Sequence, residues 1–293
     1  MSECLNVSCH RWSPEENKFA VGSGAKIISV CYYEKDNDWW VAKHIKKPLK
    51  STVTCLDWHP NNILLAAGST DFKVRVYSGY IREIEDKPSP TAWGNRMPMG
   101  NLMTEFSNSQ NGGGWVHAVS FSGDGSKLAW VGHDSSISVA DAAKDLMVMK
   151  LRTDLLPMLT LTWLTSTRIL AAGHNCVPIT FNLDTSGSLT LGARLEEDKK
   201  LETTGTISAR DIFKNKDKMG ISELETRLNT THQNQVRLTG VILSENILQF
   251  LIRFLSFAFT RETRTMSPPS PPWLGMENWF FGTSRVFPAR WGT

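Results

Sequence analysis

Apolar and polar residues alternate along several short stretches in the first two thirds of the chain. Four of these stretches end at an aromatic residue, and a glycine follows each aromatic residue after 10 or 11 positions. An apolar run leads into the glycine, and a second alternating stretch follows it. A period of two is typical of β-strands with one buried face, so each unit contains three predicted strands. The aromatic residues are Trp12, Trp58, Phe121 and Trp163.

The four units form an internal repeat. Their aromatic residues lie 46, 63 and 42 positions apart, and residues 39–43 and 146–150 fit a fourth, outer strand. Asp71 and Asp134 stand between the second and third strands, where short polar side chains stabilise hairpins. Four strands in about 40 to 45 residues is the WD-repeat pattern. An immunoglobulin-like sandwich fits less well, because it predicts no repeated interval between aromatic residue and glycine. We therefore predict an all-β propeller with about four full blades in residues 11–204.

Other segments break the repeat. The longest interval contains residues 87–114, which are rich in Gly, Pro, Asn and Ser and predict a long loop. Residues 205–236 lack strand alternation and predict a short helical insert. We take residues 1–10 as a divergent leader and residues 237–293 as a divergent, partly disordered tail. The long loop is either a tolerated insertion or a partner-binding arm, which would be anchored by Trp93, Met97, Met99 and Phe106.

The composition excludes several classes of function. Lysine and arginine number 32 and aspartate and glutamate 29, so the formal net charge of +3 is too small for a broad nucleic-acid-binding surface. The 5 cysteines are scattered and form no Cys-x-x-Cys pair, which argues against a disulfide framework and favours a reducing cytoplasm. The apolar run at 241–259 contains Glu245 and Arg253, which would be costly inside a bilayer, so membrane insertion is not expected.

The sequence carries little that indicates catalysis. The motifs of nucleotide-binding loops, hydrolase nucleophile elbows and zinc proteases are absent from it. His133 and Asp134 resemble the start of a catalytic pair, but their position at a repeat hairpin favours a structural role. Cys9 and His10 would need further partners to bind a metal. We predict neither enzymatic activity nor a metal or cofactor site.

Long strings outside the repeat framework resemble one known family. Residues 12–25 (WSPEENKFAVGSGA), 34–48 (EKDNDWWVAKHIKKP), 56–62 (LDWHPNN) and 113–117 (GGWVH) are similar to the WD-repeat subunit of the actin-related protein 2/3 complex, which nucleates branched actin filaments. The similarity extends over about residues 11–236. It implies a noncatalytic, seven-bladed scaffold, of which the four units would be the third to sixth blades and residues 208–235 the helical insert before the last.

The resemblance also implies partners and a location. The partners would be the actin-related proteins, other subunits of the complex, the actin filament and nucleation-promoting factors, in the cytoplasm and cytoskeleton. The apolar tip of the insert, with its neighbouring lysines, would contact actin or an activator. The basic run at 43–50 is either a solvated face or a contact with acidic actin surfaces. The candidate partner-binding residues are Ile212, Phe213, Lys214 and Lys216 in the insert and Lys43, Lys46 and Lys47 in the basic run.

Two departures from the family leave alternatives open. The family has two further blades ahead of the first unit found here, and from Arg237 the sequence is unlike the family's last blade. A truncated or alternatively spliced product, or a gene model that reads into non-coding sequence, would explain both departures. The alternative functions are another WD-repeat adaptor, such as a ubiquitin-ligase substrate receptor, and a nonfunctional truncated isoform.

Overall fold

The computed structural model describes residues 6–108, 113–184, 187–195 and 234–238. These residues form four antiparallel sheets of four strands each, and one short 3-10 turn at Ala142–Lys144. In every sheet the strands follow one another in chain order. The all-β architecture predicted from the repeat is therefore confirmed, as four blades of an incomplete propeller. No helix in the described part of the chain is long and apolar enough to cross a membrane.

We number the blades in chain order. Blade 1 contains β1 (Val7–Trp12), β2 (Lys18–Ser23), β3 (Ile28–Glu34) and β4 (Trp39–Ile45). Blade 2 contains β5 (Val53–Trp58), β6 (Leu64–Ser69), β7 (Lys73–Ser78) and β8 (Leu102–Ser107). Blade 3 contains β9 (Val116–Phe121), β10 (Lys127–Gly132), β11 (Ser136–Asp141) and β12 (Met147–Arg152). Blade 4 contains β13 (Met158–Thr165), β14 (Arg168–Gly173), β15 (Ile179–Leu183) and β16 (Leu189–Arg194).

The predicted hairpin residues lie between the second and third strands of their blades. In blade 2, the Asp71 carboxylate accepts hydrogen bonds from the Lys73 amide at 3.2 Å and from Arg75 Nη2 at 2.7 Å. In blade 3, the Asp134 carboxylate accepts from Ser136 Oγ at 2.6 Å and from Lys150 Nζ at 3.0 Å. A short carboxylate that binds nearby backbone and side-chain donors holds a tight turn closed.

Three apolar cores lie between successive blades, one in each gap. In blades 2 to 4, the aromatic residue at the end of the innermost strand fills the gap to the preceding blade. The Trp58 indole donates a hydrogen bond to the Arg11 carbonyl at 3.1 Å, and the Trp163 indole donates to the Ser120 carbonyl at 3.0 Å. The repeated aromatic position therefore joins one blade to the blade before it.

Two of the repeated glycines lie directly against the following blade. A Cβ atom added to Gly22 would lie 2.8 Å from Val53 Cγ1 of the next blade, and one added to Gly68 would lie 2.6 Å from Val116 Cγ1. Real Cβ atoms do not approach other atoms so closely, so a side chain at either position would push the blades apart. This contact explains the repeat glycine of blades 1 and 2.

Two predicted boundaries are wrong. Strand β1 begins at Val7, so the end of the predicted leader at 1–10 belongs to blade 1. The predicted loop at 87–114 contains β8, the outer strand of blade 2. The sequence did not reveal this strand because its pattern is short and lies among turn-forming residues.

The aromatic residues of that segment form part of the core. Trp93 and Phe106 are buried between blades 2 and 3, and the Trp93 indole donates a hydrogen bond to the Gly125 carbonyl at 2.9 Å. Met97 is buried in the same core, and Met99 packs against the core between blades 1 and 2. These four side chains therefore pack against the cores of this chain and are not offered to a partner.

Most of the predicted insert at 205–236 and of the tail at 237–293 lies outside the described residues. The described segment 234–238 runs beside blade 4. The Val236 amide donates to the Gly173 carbonyl and the Leu238 amide to Thr160 Oγ1, both at 3.0 Å, and the Val236 side chain is buried. The segment is therefore joined to the repeat glycine of blade 4 by a backbone hydrogen bond.

Buried charges cross the gaps between blades. Asp57 in β5 accepts a hydrogen bond from Arg11 Nε in β1 at 3.1 Å and from the Phe121 amide in β9 at 2.8 Å. Burial raises the pKa of Asp57 above its ordinary value, and the Arg11 guanidinium opposes that rise. Lys18, also fully buried, donates to the Gly79 carbonyl of blade 2 at 2.9 Å. The Asp57 carboxylate therefore links the innermost strands of blades 1, 2 and 3.

We predict that Asp57→Ala lowers the free energy of unfolding by about 2 to 3 kcal/mol, because the buried Phe121 amide loses a charged acceptor. The measurement is equilibrium denaturation followed by circular dichroism. The control is Asp154→Ala, which removes an exposed carboxylate and should change the free energy by less than about 0.5 kcal/mol. Equal effects of the two substitutions would contradict the assigned role of Asp57.

Candidate partner-binding surface

The first candidate, Lys43, does not lie in a loop. It belongs to strand β4, and its ammonium group forms an ion pair with Glu83 at 2.7 Å. The same group lies 5.4 Å from the centre of the Tyr32 ring, within the range of a cation–π contact. The hydrogen bond from Lys43 lowers the pKa of the Glu83 carboxyl below its ordinary value. Lys43 therefore already forms an ion pair within this chain, so its ammonium group would contribute less to the attraction of another protein.

Lys46 and Lys47 differ from Lys43 in this respect. Both are exposed in the connection between β4 and β5, and neither forms an ion pair with another described residue. The connection is fixed at both ends, because Ile45 and Leu49 are buried in the core between blades 1 and 2. The two ammonium groups therefore project from a firmly attached loop into solvent, as a contact with an acidic surface requires.

The remaining predicted site residues lie outside the described part of the chain. These residues are Ile212, Phe213, Lys214 and Lys216. Of the candidate partner-binding residues, the structure describes only those of the basic run. The contact made by the insert tip stays a prediction.

His133 and Asp134, which resemble the start of a catalytic pair, contact different partners in the structure. His133 Nδ1 lies 2.9 Å from Nε2 of His117, and the neighbouring Asp134 carboxylate instead binds Ser136 and Lys150. Burial lowers the pKa of His117 to about 4, and His133 adds to the effect. His117 is therefore neutral near pH 7, and no carboxylate of the described residues is seen to orient either imidazole in the manner of a catalytic triad.

The candidate metal ligands also lack suitable surroundings. Burial raises the pKa of the Cys9 thiol to about 11, so this thiol remains protonated near pH 7. Among the residues that the structure describes, no group of three or more His, Cys, Asp or Glu side chains could hold a metal ion.

Blade 1 carries an aromatic cluster that the sequence pattern did not reveal. Trp40 lies 6.4 Å from Trp12, 5.4 Å from Phe19 and 5.7 Å from Tyr33, measured between ring centres. Trp12 is 50% exposed and Trp40 is 47% exposed. Side chains alternate along strand β4, so Trp39 and Trp40 lie on opposite faces of the sheet. Only the register of the strands shows that Trp40 lies on the same face as Trp12.

Known proteins resemble this chain in sequence and in fold. A family model described as "WD domain, G-beta repeat" matches residues 43–78. Actin-related protein 2/3 complex subunit 1A-B of Xenopus laevis is 55% identical over 227 residues, which cover 77% of this chain and 61% of that protein. Actin-related protein 2/3 complex subunit 1 of Schizosaccharomyces pombe is 43% identical over 247 residues, which cover 77% of this chain and 64% of that protein.

These comparisons confirm the resemblance to subunit 1 of the actin-related protein 2/3 complex. The chain spans about three fifths of the length of these curated relatives. A solved structure, "Structure of U3-55K", superposes with a TM-score of 0.50 at 15% identity and covers 65% of this chain and 53% of its own. At that identity the superposition supports the WD-repeat fold alone.

We predict that an amine-reactive label modifies the lysines in the order of their accessibility. Lys46 and Lys47 should react fastest, Lys43 more slowly because of its ion pair with Glu83, and the fully buried Lys18 slowest. The rates can be measured by mass spectrometry of peptides from briefly labelled protein. Denatured protein serves as the control, in which all four should react alike. Rapid labelling of Lys18 in the folded protein would contradict the packing of blades 1 and 2.

Proposed function

We propose that this chain is a noncatalytic scaffold that assembles with other subunits of the actin-related protein 2/3 complex and supports the nucleation of branched actin filaments. The observation that carries this proposal is the 55% identity to subunit 1A-B of that complex over 77% of the chain. The proposed location is the cytoplasm and the cytoskeleton, where the actin-related proteins, the actin filament and nucleation-promoting factors would be the partners.

The architecture suits a scaffold. Blades that share apolar cores form a stiff platform, and the loops between their strands provide several separate surfaces for partners. His133, the candidate for a catalytic histidine, contacts His117 rather than a carboxylate. A protein of this kind acts by positioning its partners relative to one another.

Two surfaces are proposed for contact with actin. Lys46 and Lys47 would steer the chain toward acidic patches of the filament, and this attraction should weaken as salt is added. The pair Ile212 and Phe213, flanked by Lys214 and Lys216, would supply an apolar contact. Burial of these two apolar side chains would contribute about 1.5 to 3 kcal/mol each. The apolar pair would therefore dominate affinity, and the lysines would set the rate of association.

Purification of the tagged chain from cell lysate, followed by mass spectrometry, tests the proposal. Recovery of the other subunits of the complex in comparable amounts would support it. Recovery of ubiquitin-ligase components would favour an adaptor function, and the absence of any stable partner would favour a nonfunctional isoform. A tagged WD-repeat protein from an unrelated complex serves as the control for nonspecific capture.

We predict that alanine at the positions of Ile212 and Phe213 in a full-length relative slows filament branching and leaves assembly of the complex intact. A pyrene-actin assay measures branching, and gel filtration of the purified complex measures assembly. Normal branching by the double variant would contradict the proposed contact. Failure to assemble would also contradict it, because the two residues would then belong to the core of the complex.

We predict that Lys46→Glu combined with Lys47→Glu weakens cosedimentation of the assembled complex with actin filaments, most strongly at low salt. The matched control is Lys43→Gln, whose ammonium group is already paired with Glu83 and should contribute less. Equal losses for the two variants, or a loss that does not depend on salt, would exclude steering by the exposed pair.

A further inference from the structure

The gap between blades 1 and 2 is closed at its rim by an ion pair. Lys18 begins strand β2 and is completely buried in this first gap. Its ammonium group pairs with Glu85 at 2.6 Å and lies 4.9 Å from the centre of the Trp58 ring. Glu85 belongs to the segment between β7 and β8. That segment therefore supplies the acidic side chain that closes the first gap.

The same segment closes the gap between blades 2 and 3 with an aromatic side chain. Trp93 is buried in this second gap, and its ring lies 5.6 Å from the ring of Phe121. Its indole nitrogen donates a hydrogen bond to the Gly125 carbonyl, in the turn between β9 and β10. Both gaps thus receive a side chain from outside the four-stranded sheets, beside the aromatic residue of the following blade.

The third gap, between blades 3 and 4, repeats the lysine of the first. Lys127 begins strand β10 six residues after Phe121, just as Lys18 begins β2 six residues after Trp12. The Lys127 ammonium group donates a hydrogen bond to the Ser126 hydroxyl at 3.2 Å. Among the residues that the structure describes, no acidic side chain forms an ion pair with Lys127 as Glu85 does with Lys18.

A cavity of about 240 Å³ opens beside Lys127. Its floor is apolar, since Met149 and Leu183 belong to the core between blades 3 and 4. Its rim carries Lys144 of blade 3 and Ser166 of blade 4, which are both exposed. The volume is smaller than that of pockets for drug-sized ligands, so the cavity suits one bulky side chain.

The charges around the cavity favour an acidic ligand. Within the described part of the chain, Lys144, like Lys127, forms no ion pair. Two aspartates also line the cavity, but both already interact with other groups. The Asp141 carboxylate accepts a hydrogen bond from the Ala143 amide at 3.0 Å, and Asp184 has an interaction partner of its own. The two ammonium groups therefore remain available to a carboxylate.

Exposed apolar side chains continue along the third gap on the outer strands. Met147 of β12 is 54% exposed and Leu191 of β16 is 52% exposed. Met147 lies on the same side of its strand as the core residue Met149, and Leu191 stands opposite the core residue Phe181. Both side chains thus face the third gap, where a bound chain would find further apolar surface.

We propose that the third gap binds an extended segment of another protein, in which a bulky apolar residue stands next to acidic residues. The apolar side chain enters the cavity as Trp93 enters the second gap. An acidic side chain pairs with Lys127 as Glu85 pairs with Lys18 in the first gap. The site shares no residue with the surfaces proposed for contact with actin.

Fluorescence anisotropy of a labelled synthetic peptide, with a central tryptophan flanked by glutamates on both sides, tests this site on the full chain. The peptide should bind with a micromolar dissociation constant. Lys127→Gln should weaken binding about tenfold, because a charged hydrogen bond is lost, and Lys127→Arg should restore most of it. The matched control is Lys35→Gln, which removes an exposed lysine from the turn between β3 and β4. It should change the dissociation constant by less than about twofold.

A substitution at the rim separates a blocked cavity from a misfolded protein. Ser166→Trp places a ring at the mouth of the cavity and should abolish peptide binding without lowering the melting temperature. Equal effects of Lys127→Gln and Lys35→Gln, or equal binding of a peptide with alanine in place of tryptophan, would overturn the proposal. No binding at all would overturn it in favour of closure by residues 196–233 of this chain. Self-association that Ser166→Trp abolishes would overturn it in favour of a second copy.

Discussion

The close approach of successive blades is the constraint on which the rest of the structure depends. Gly22 and Gly68 leave room for Val53 and Val116 of the following blades, and a single Cβ atom at either glycine would close that room. The aromatic residue of the following blade fills the same gap from the other side, as Trp58 does between blades 1 and 2. The two contacts together fix the orientation of one blade relative to the next.

Buried polar groups add specificity to this apolar stacking. Apolar faces alone would tolerate small rotations between blades, whereas Asp57 reaches the Arg11 guanidinium on one side and the Phe121 amide on the other. Lys18 of blade 1 likewise reaches blade 2. Its ammonium group donates a hydrogen bond to the Gly79 carbonyl and lies 4.9 Å from the centre of the Trp58 ring. A buried charge that loses its partner is strongly destabilising, so these contacts select one relative orientation of the blades.

This stiffness bears on the proposed function. Lys46 and Lys47 hold fixed positions because Ile45 and Leu49 anchor their loop in the core between blades 1 and 2. A scaffold needs surfaces that keep their mutual distances, and stacked blades provide them.

The sequence alone determined the repeat, the four-stranded blades and the resemblance to an actin-related protein 2/3 complex subunit. It could do so because alternation, the aromatic residue and the glycine are local signals with a constant spacing. The tertiary structure alone decided that Trp93 and Phe106 are core residues, that Lys43 is paired with Glu83, and that Trp40 shares a face with Trp12. Each of these depends on the strand register or on packing between residues distant in the chain, which no local pattern encodes.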